Sequence, residues 1–235
     1  MSNNYFKFKQ FTVWYDRCAM KVGTDGTLLG SWAPVNSVRK VLDIGTGTGL
    51  IALMIAQRQP LCHVDAIDID AEAVSQACSN VAESPFHDRI KVELQDIVTM
   101  DSGVAYDLIV CNPPFFQNSL RSPNESRSFA RHNVALSFEV LCQKAYELLQ
   151  DEGLFCVVIP TDVRDGFIRE ATGARLFVKE QLDVCTKKGK HPKRVLLSFS
   201  KKIEETPSRG TLYMMDEHGV YTDEYRNLTG GFYLK

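Results

Sequence analysis

The sequence predicts a doubly wound, mostly parallel α/β sheet with helices on both faces and a small C-terminal extension. From Val38 onward, short apolar or β-branched runs alternate with longer periodic segments, the pattern of repeated strand–helix–strand units. The first of these runs, Val41 to Ile44, passes straight into Gly45-Thr-Gly-Thr-Gly49 and then an apolar helical stretch from Leu50 to Ala56. The polar residues with chemical potential also fall just past the ends of the runs, which is where open α/β sheets bind ligands.

One domain is expected, because 235 residues with 44% apolar and 24% charged composition supply one sizeable core. Residues 1–37 read as an N-terminal cover, 38–200 as the core sheet and 201–235 as the extension. Tyr5 to Tyr15 begins by alternating aromatic and polar side chains, as a hairpin arm does. That arm is either an edge hairpin covering the core or an aromatic and basic lip beside a nucleic acid. Lys21 to Ala33 reads as a short apolar helix N-capped by Thr24 or Asp25. The core strands are expected at Val41 to Ile44, His63 to Ile69, Ile90 to Leu94, Leu108 to Cys111 and Leu154 to Ile159, with helices at Ala71 to Glu83 and Phe138 to Leu149. In the extension, Thr211 to Met215 and Val220 to Thr222 flank Asp216-Glu-His-Gly219 as a hairpin. Phe232 to Leu234 is expected to dock on the body.

A formal charge of −2 excludes a uniformly basic nucleic-acid binder but not a local basic patch. Seven cysteines, an odd number with no C-x-x-C pair, give neither a disulfide framework nor a zinc site, so a reducing cytosol fits and no metal is expected. No apolar run reaches the roughly 20 residues that span a bilayer, and there is no signal-peptide core.

Two loops carry the chemistry. Glycines at 45, 47 and 49 let backbone approach a ligand at a helix N-terminus. A dinucleotide fingerprint needs G-x-G-x-x-G, and Leu50 stands where its third glycine would be. Asp43, two residues before the loop, disfavours a pyrophosphate and suits a ligand carrying an ammonium group. Past the second strand, Asp68 is placed to bind ribose hydroxyls beside Ile69; Asp70 is the alternative for that role, or else simply caps the next helix. Past the third strand, Asp96 is placed to accept from an adenine amine and Ile97 to pack on its face. Past the fourth come Asn112-Pro113-Pro114-Phe115. Two prolines fix φ and remove two backbone donors, leaving a rigid corner rich in acceptors. The Asn112 side-chain oxygen and the Pro113 carbonyl can accept both hydrogens of a planar NH2 group, and Phe115 offers a ring on which its base stacks. Two acceptors aimed at those hydrogens stabilise the positive charge that develops on the nitrogen during attack. Cys111 precedes the corner on a buried strand and reads as core.

The acid and glycine spacing at 43–49 resembles motif I of the class I S-adenosylmethionine-dependent methyltransferases, and Asn-Pro-Pro-Phe resembles motif IV of amino-methyltransferases. With Lys21-Val-Gly-Thr-Asp-Gly-Thr-Leu-Leu-Gly-Ser-Trp-Ala33, Arg194-Val-Leu-Leu-Ser-Phe199, Phe8-Lys-Gln-Phe11 and Phe232-Tyr-Leu234, the whole chain is similar to the bacterial valine-tRNA adenine-N6 methyltransferases. That resemblance implies a seven-stranded methyltransferase sheet and S-adenosylmethionine as cofactor, held by Lys21, Thr24, Asp43, Gly45, Thr46, Gly47, Gly49, Asp68, Ile69, Asp96, Ile97 and Asn112. It implies methyl transfer to the adenine 3′ of the anticodon. Phe115 stands where tyrosine is common in that family; stacking survives the change, and a hydroxyl contact does not.

Between Thr186 and Lys202 lie Lys187, Lys188, Lys190, Lys193, Arg194, Lys201 and Lys202, with no acid. They form either a solvated face or, with Arg121, Arg127, Arg131 and His132 after the catalytic corner, the phosphate contacts of a splayed anticodon loop. Two rivals remain: a protein glutamine methyltransferase using the same corner on a side-chain amide, and a non-catalytic RNA partner that binds the cofactor. A monomer is expected.

Overall fold

The computed structural model describes residues 4–17, 22–101, 103–113 and 136–234. The core is an eight-stranded sheet made of β3 (Lys40–Ile44), β4 (His63–Asp68), β5 (Ile90–Leu94), β6 (Tyr106–Cys111), β7 (Leu149–Pro160), β8 (Phe177–Cys185), β9 (Arg194–Ser200) and β10 (Ser208–Tyr213). Its spatial order is β10-β8-β9-β7-β6-β3-β4-β5. β9 is antiparallel to both β7 and β8, while the remaining pairings are parallel. The chain moves outward from β3 to β4 and β5, then returns to place β6 on the other side of β3. The carboxyl ends of β3 and β6 therefore flank the switch point, the crevice where such sheets take ligands.

Both faces are covered, as near-continuous apolar strands require. On one face lie α1 (Thr24–Trp32), α2 (Leu50–Arg58) and α3 (Ala71–Ala82), whose side chains share a core with Val41, Ala66, Val110, Val158 and Leu196. On the other, α4 (Phe138–Leu148) and α5 (Arg164–Gly173) pack over Leu42, Ile67, Ile109, Val157 and Leu197. The two sets alternate along each strand, because successive side chains point to opposite faces. Helix α2 is buried at every position from Leu50 to Ala56, since it packs both on the sheet and against α1. Its carboxyl end is closed by the Arg89 guanidinium, which donates to the carbonyls of Ala56 and Gln59.

The predicted core strands and both predicted helices are present with small changes of boundary; β7 begins five residues earlier than expected, at Leu149. The extension differs more. Residues 208–213 form β10, an eighth strand paired parallel to β8, instead of one arm of a hairpin. The turn at Asp216 does close, but only a single antiparallel bridge, Met215 to Tyr221, follows it. The reason lies in β8, whose outer edge offers a full ladder to the chain. A short helix, α6 (Asp223–Thr229), ends the chain before Phe232.

The N-terminal arm is a hairpin of β1 (Tyr5–Lys7) and β2 (Thr12–Trp14). Phe8, Phe11 and Val13 are buried in the α1–α3 core, so the hairpin is a cover. Phe8 stacks on Phe11 and Tyr233, and the Lys9 amide donates to the Phe232 carbonyl at 2.8 Å, which docks the two ends of the chain on each other. Phe8→Ala should cost about 3–5 kcal/mol. Chemical denaturation measures it, and a loss below 1 kcal/mol would show that the hairpin is not part of the cooperative core.

Candidate active site

The loop after β3 is built from the conformations that glycine tolerates: φ is +70° at Gly45, +57° at Gly47 and +80° at Gly49. Side chains with a Cβ are strained there. The loop is fastened from several sides. The amides of Gly45 and Thr46 both donate to the Ile67 carbonyl at the end of β4, at 2.9 and 3.0 Å. The Gly47 amide donates to Asp68 Oδ2 at 2.9 Å. Gly49 then caps α2 in the left-handed conformation.

Asp43 lies on the α1–α3 face of β3 and is fully buried. Its Oδ2 accepts from the Thr46 hydroxyl at 2.7 Å, and its Oδ1 has no hydrogen-bond partner. Burial pushes the carboxyl up to about 7, with the Thr46 hydroxyl and the Ala52 amide offsetting part of the rise. Because no atom of Asp43 reaches solvent, it touches no ligand in this conformation. It orders the loop through Thr46, and its charge acts through the loop in a low-dielectric setting. An orphaned buried carboxylate oxygen is relieved by a nearby cation, so the site fits a positively charged ligand.

Asp68 ends β4 with Oδ2 on Gly47 N and Oδ1 on Asp70 N at 3.0 Å. A carboxylate has about four acceptor positions, leaving two for hydroxyl groups of a ligand. Ile69 is 52% exposed directly beside it, an apolar surface for a base. Asp70 is the N-cap of α3, accepting from the Glu72 amide at 2.9 Å. Asp96 is exposed and caps a single 3-10 turn by accepting from Val98 N. The Ile97 side chain is 3% exposed and belongs to the core on the α4 face, whereas Val98 beside it is exposed.

The register of β3 against β6 sets Ile44 opposite Cys111. Gly45 and Asn112 are therefore the first residues beyond two strands that end level, with their chains about 5 Å apart laterally. Asn112 is half-buried, its side chain makes no hydrogen bond to a described residue, and Pro113 is buried. Cys111 is 2% exposed, and burial holds its thiol well above the usual range, so it is an inert core residue. Pro114, Phe115, Lys21, Arg121, Arg127, Arg131 and His132 lie outside the described residues.

Helix α1 begins at Thr24, but its N-cap is Gly23 with no side-chain bond, so neither Thr24 nor Asp25 caps it. The Asp25 carboxylate instead accepts from Arg194 Nε at 2.7 Å, tying α1 to the start of β9. Thr24 is exposed in the first turn. The β8–β9 loop leaves the same end of the sheet as the glycine loop and Asn112, since β8 is parallel to the chain direction of β7 and β9 returns. Lys188, Lys190 and Lys193 are exposed there, and Lys187 is half-buried. Lys188 Nζ lies 3.8 Å from Glu217, and both partners are exposed, an arrangement worth little. Sequence reasoning missed Gln76 and Asn80, two buried amides on α3; the polar positions on an otherwise amphipathic helix were the available signal. Among the described residues, no cluster of His, Cys, Asp or Glu is arranged to hold a metal ion, and no helix is long and apolar enough to cross a membrane.

The sheet, the glycine loop and the acid at the end of β4 define an S-adenosylmethionine-dependent methyltransferase. A predicted O-methyltransferase from Agrobacterium tumefaciens has the same fold, with a TM-score of 0.69 at 19% identity over 88% of this chain and 96% of that one. A glycopeptide N-methyltransferase solved with S-adenosylmethionine bound matches with a TM-score of 0.55 at 14% identity, covering 77% of this chain and 99% of that one. The family model of the methyltransferase small domain matches residues 18–171. Relatives named tRNA1(Val) (adenine(37)-N6)-methyltransferase are 51% identical in Phocaeicola vulgatus, over 100% of this chain and 99% of the relative, and 48% identical in Bacteroides thetaiotaomicron with the same coverage. A relative of that name from Yersinia enterocolitica is 44% identical over 97% of this chain and 92% of its own length. The chain belongs to the methyltransferase small domain family and, within it, to the bacterial valine-tRNA adenine-N6 methyltransferases.

The buried acid gives the protein a pH signature. The folded-state value near 7 lies above the ordinary 3.8, so the unfolded chain releases this proton first as pH rises. Stability conferred by the protonated form is complete below about pH 4 and is lost on approaching pH 7, by on the order of 4 kcal/mol in all. Asn is an uncharged near-isostere of the protonated acid, so denaturation should show Asp43→Asn gaining on wild type steadily from pH 4 to 7, by on the order of 4 kcal/mol. Parallel profiles would show that Asp43 does not titrate there.

Proposed function

We propose that this protein transfers a methyl group from S-adenosylmethionine to the exocyclic N6 of the adenine 3′-adjacent to the anticodon of a valine tRNA. The observation that carries the reading is the level ending of β3 and β6, which sets the glycine loop beside the Asn112 corner. Full-length relatives bearing that activity in their names support the choice of substrate.

When bound, the cofactor supplies an electrophilic methyl group on a sulfonium. The chain supplies position and charge. The backbone at Gly45, Gly47 and Gly49 permits close approach, Thr46 holds the loop to Asp43, and the Asp43 charge favours a cationic ligand. Asp68 receives the ribose hydroxyls beside the apolar side chain of Ile69, and Asp96 and the Ile97 backbone border the base. Lys21 and Thr24 complete the cofactor-holding set of this reading. An adenine amine is a weak nucleophile because its lone pair is delocalised into the ring. Asn112 and the Pro113 carbonyl accept its two hydrogens, which favours a pyramidal nitrogen and stabilises the developing positive charge. Pro114 stiffens the corner, and Phe115 stacks the base.

The anticodon loop is held by phosphate contacts from Lys187, Lys188, Lys190 and Lys193, joined by Arg121, Arg127, Arg131 and His132. Arg194 contributes through an edge oriented by Asp25. A monomer working in the cytosol, with no metal, completes the reading.

Labelled S-adenosylmethionine incubated with total tRNA, total protein or duplex DNA tests the proposal. Label should enter tRNA as N6-methyladenosine. Label in protein would assign a glutamine methyltransferase, and cofactor binding without label in any pool would assign a non-catalytic RNA partner.

Asn112→Ala should lower single-turnover methylation by about 10²- to 10³-fold, by analogy with loss of one oxyanion-hole donor, while cofactor affinity changes much less. Near-normal single turnover would remove Asn112 from the chemistry. Reversing charge at Lys187, Lys188 and Lys190 together should weaken tRNA binding and reduce the slope of affinity against salt by about three charges. An unchanged slope would assign this loop to solvent.

A further inference from the structure

Helix α3 presents Gln76, Ala77 and Asn80 on one side, with Gln76 and Asn80 2% and 0% exposed. The Gln76 side-chain oxygen accepts from the Arg17 amide at 3.0 Å. One turn further on, Asn80 Oδ1 accepts from the Trp14 amide at 2.9 Å. Asn80 Nδ2 donates to the Trp14 carbonyl and to the Thr48 carbonyl, each at 2.9 Å. Between these two amides, Ala77 forms the floor of the glycine loop: a Cβ placed on Gly49 would lie 3.4 Å from the Ala77 Cβ.

We infer that Asn80 is a positioning residue for the cofactor, which orients the Thr48–Gly49 peptide of the glycine loop while being held in place by the backbone of Trp14. The argument is one of degrees of freedom. Three glycines at positive φ widen the conformations open to the loop, and its backbone serves a ligand only if its peptide planes are fixed; the Gly49 amide of this peptide donates to the Thr46 carbonyl at 2.9 Å, and Asn80 fixes the plane from its carbonyl side. Thr48 lies between two of those glycines, and its carbonyl is held by one side chain from outside the loop. That side chain is itself held in a single rotamer, because Trp14 takes its oxygen and shares its nitrogen. A buried amide with each of these groups bonded has no alternative orientation that leaves them satisfied. The N-terminal hairpin thereby acts on the cofactor loop through α3 without touching the ligand.

This inference rests on the reading of the glycine loop as the S-adenosylmethionine site, so binding of that compound to wild type is measured first by isothermal titration. No binding would overturn the cofactor reading and this inference with it. Asn80→Asp keeps the acceptor for Trp14 and removes both donors. It should weaken S-adenosylmethionine about 10-fold or more and raise the KM for it in parallel, with kcat at saturation and the KM for tRNA changed by less than about threefold. If the aspartate variant does not fold, Asn80→Ser is examined by hydrogen exchange. Amides of residues 45–49 should lose protection while those of β3 and β6 keep it. Unchanged cofactor affinity in a folded variant would overturn the assignment. So would a joint loss of tRNA and cofactor binding, or protection lost equally in the loop and the core strands.

Discussion

The parallel pairing of β3 with β6 is the constraint on which the site depends. Neither strand carries the chemistry, yet their register ends both at the same level, Ile44 against Cys111. Inter-strand hydrogen bonding fixes their separation at about 5 Å, far more tightly than any contact between loops could. Whatever each chain does next is done beside the other. After β3 the chain turns through glycines at positive φ; after β6 it continues into Asn112 and Pro113. The sequence distance between the two turns is irrelevant once the chain has returned from β5 to pair β6 with β3.

Charge is distributed to match. Asp43 and Asp68 lie on the α1–α3 face at the ends of adjacent strands, and they do different work because their surroundings differ. Asp68 is partly exposed and bonded to two backbone amides, a setting that leaves a carboxylate spare acceptor positions. Asp43 is sealed in with one oxygen unpaired, a setting in which charge is costly unless a cation comes near. The fold thus carries a buried carboxylate whose charged form is costly.

The parts of this arrangement legible in the sequence were those in which local pattern and tertiary role coincide. The strands β3 to β6 are short apolar runs closed by turn residues, and the glycines, Asp70 as a cap and the proline corner each follow from backbone chemistry within a few residues. Other features were set by partners distant in sequence. Asp25 carries the mark of a helix cap, but its carboxylate is taken by Arg194, 169 residues away. Residues 208–213 have no pattern that tells a parallel edge strand from a hairpin arm; the open edge of β8 decided between them. Ile97 reads in the sequence as a ligand surface, and its burial makes it core instead. Asn80 was invisible for the same reason, since nothing near an amide in a helix says which backbone it will meet.

The two loops beside the crevice are finished in opposite ways, and the difference fits what each is proposed to bind. On the cofactor side, loop groups are spoken for by the Ile67 carbonyl, Asp68, Asp43 and Asn80. A glycine loop left to itself samples too many conformations to present a fixed surface, so its order has to be imported from β4 and α3. On the amine side, the Asn112 side chain is half-buried and bonded to no described residue. An acceptor already satisfied by its own protein would have to break that bond before taking a substrate hydrogen. Prolines solve this differently from hydrogen bonds, for they fix the backbone by ring geometry and use no polar group in doing so. In the proposed reaction, fixing the backbone this way leaves the Asn112 side-chain oxygen free of the task of holding the corner together.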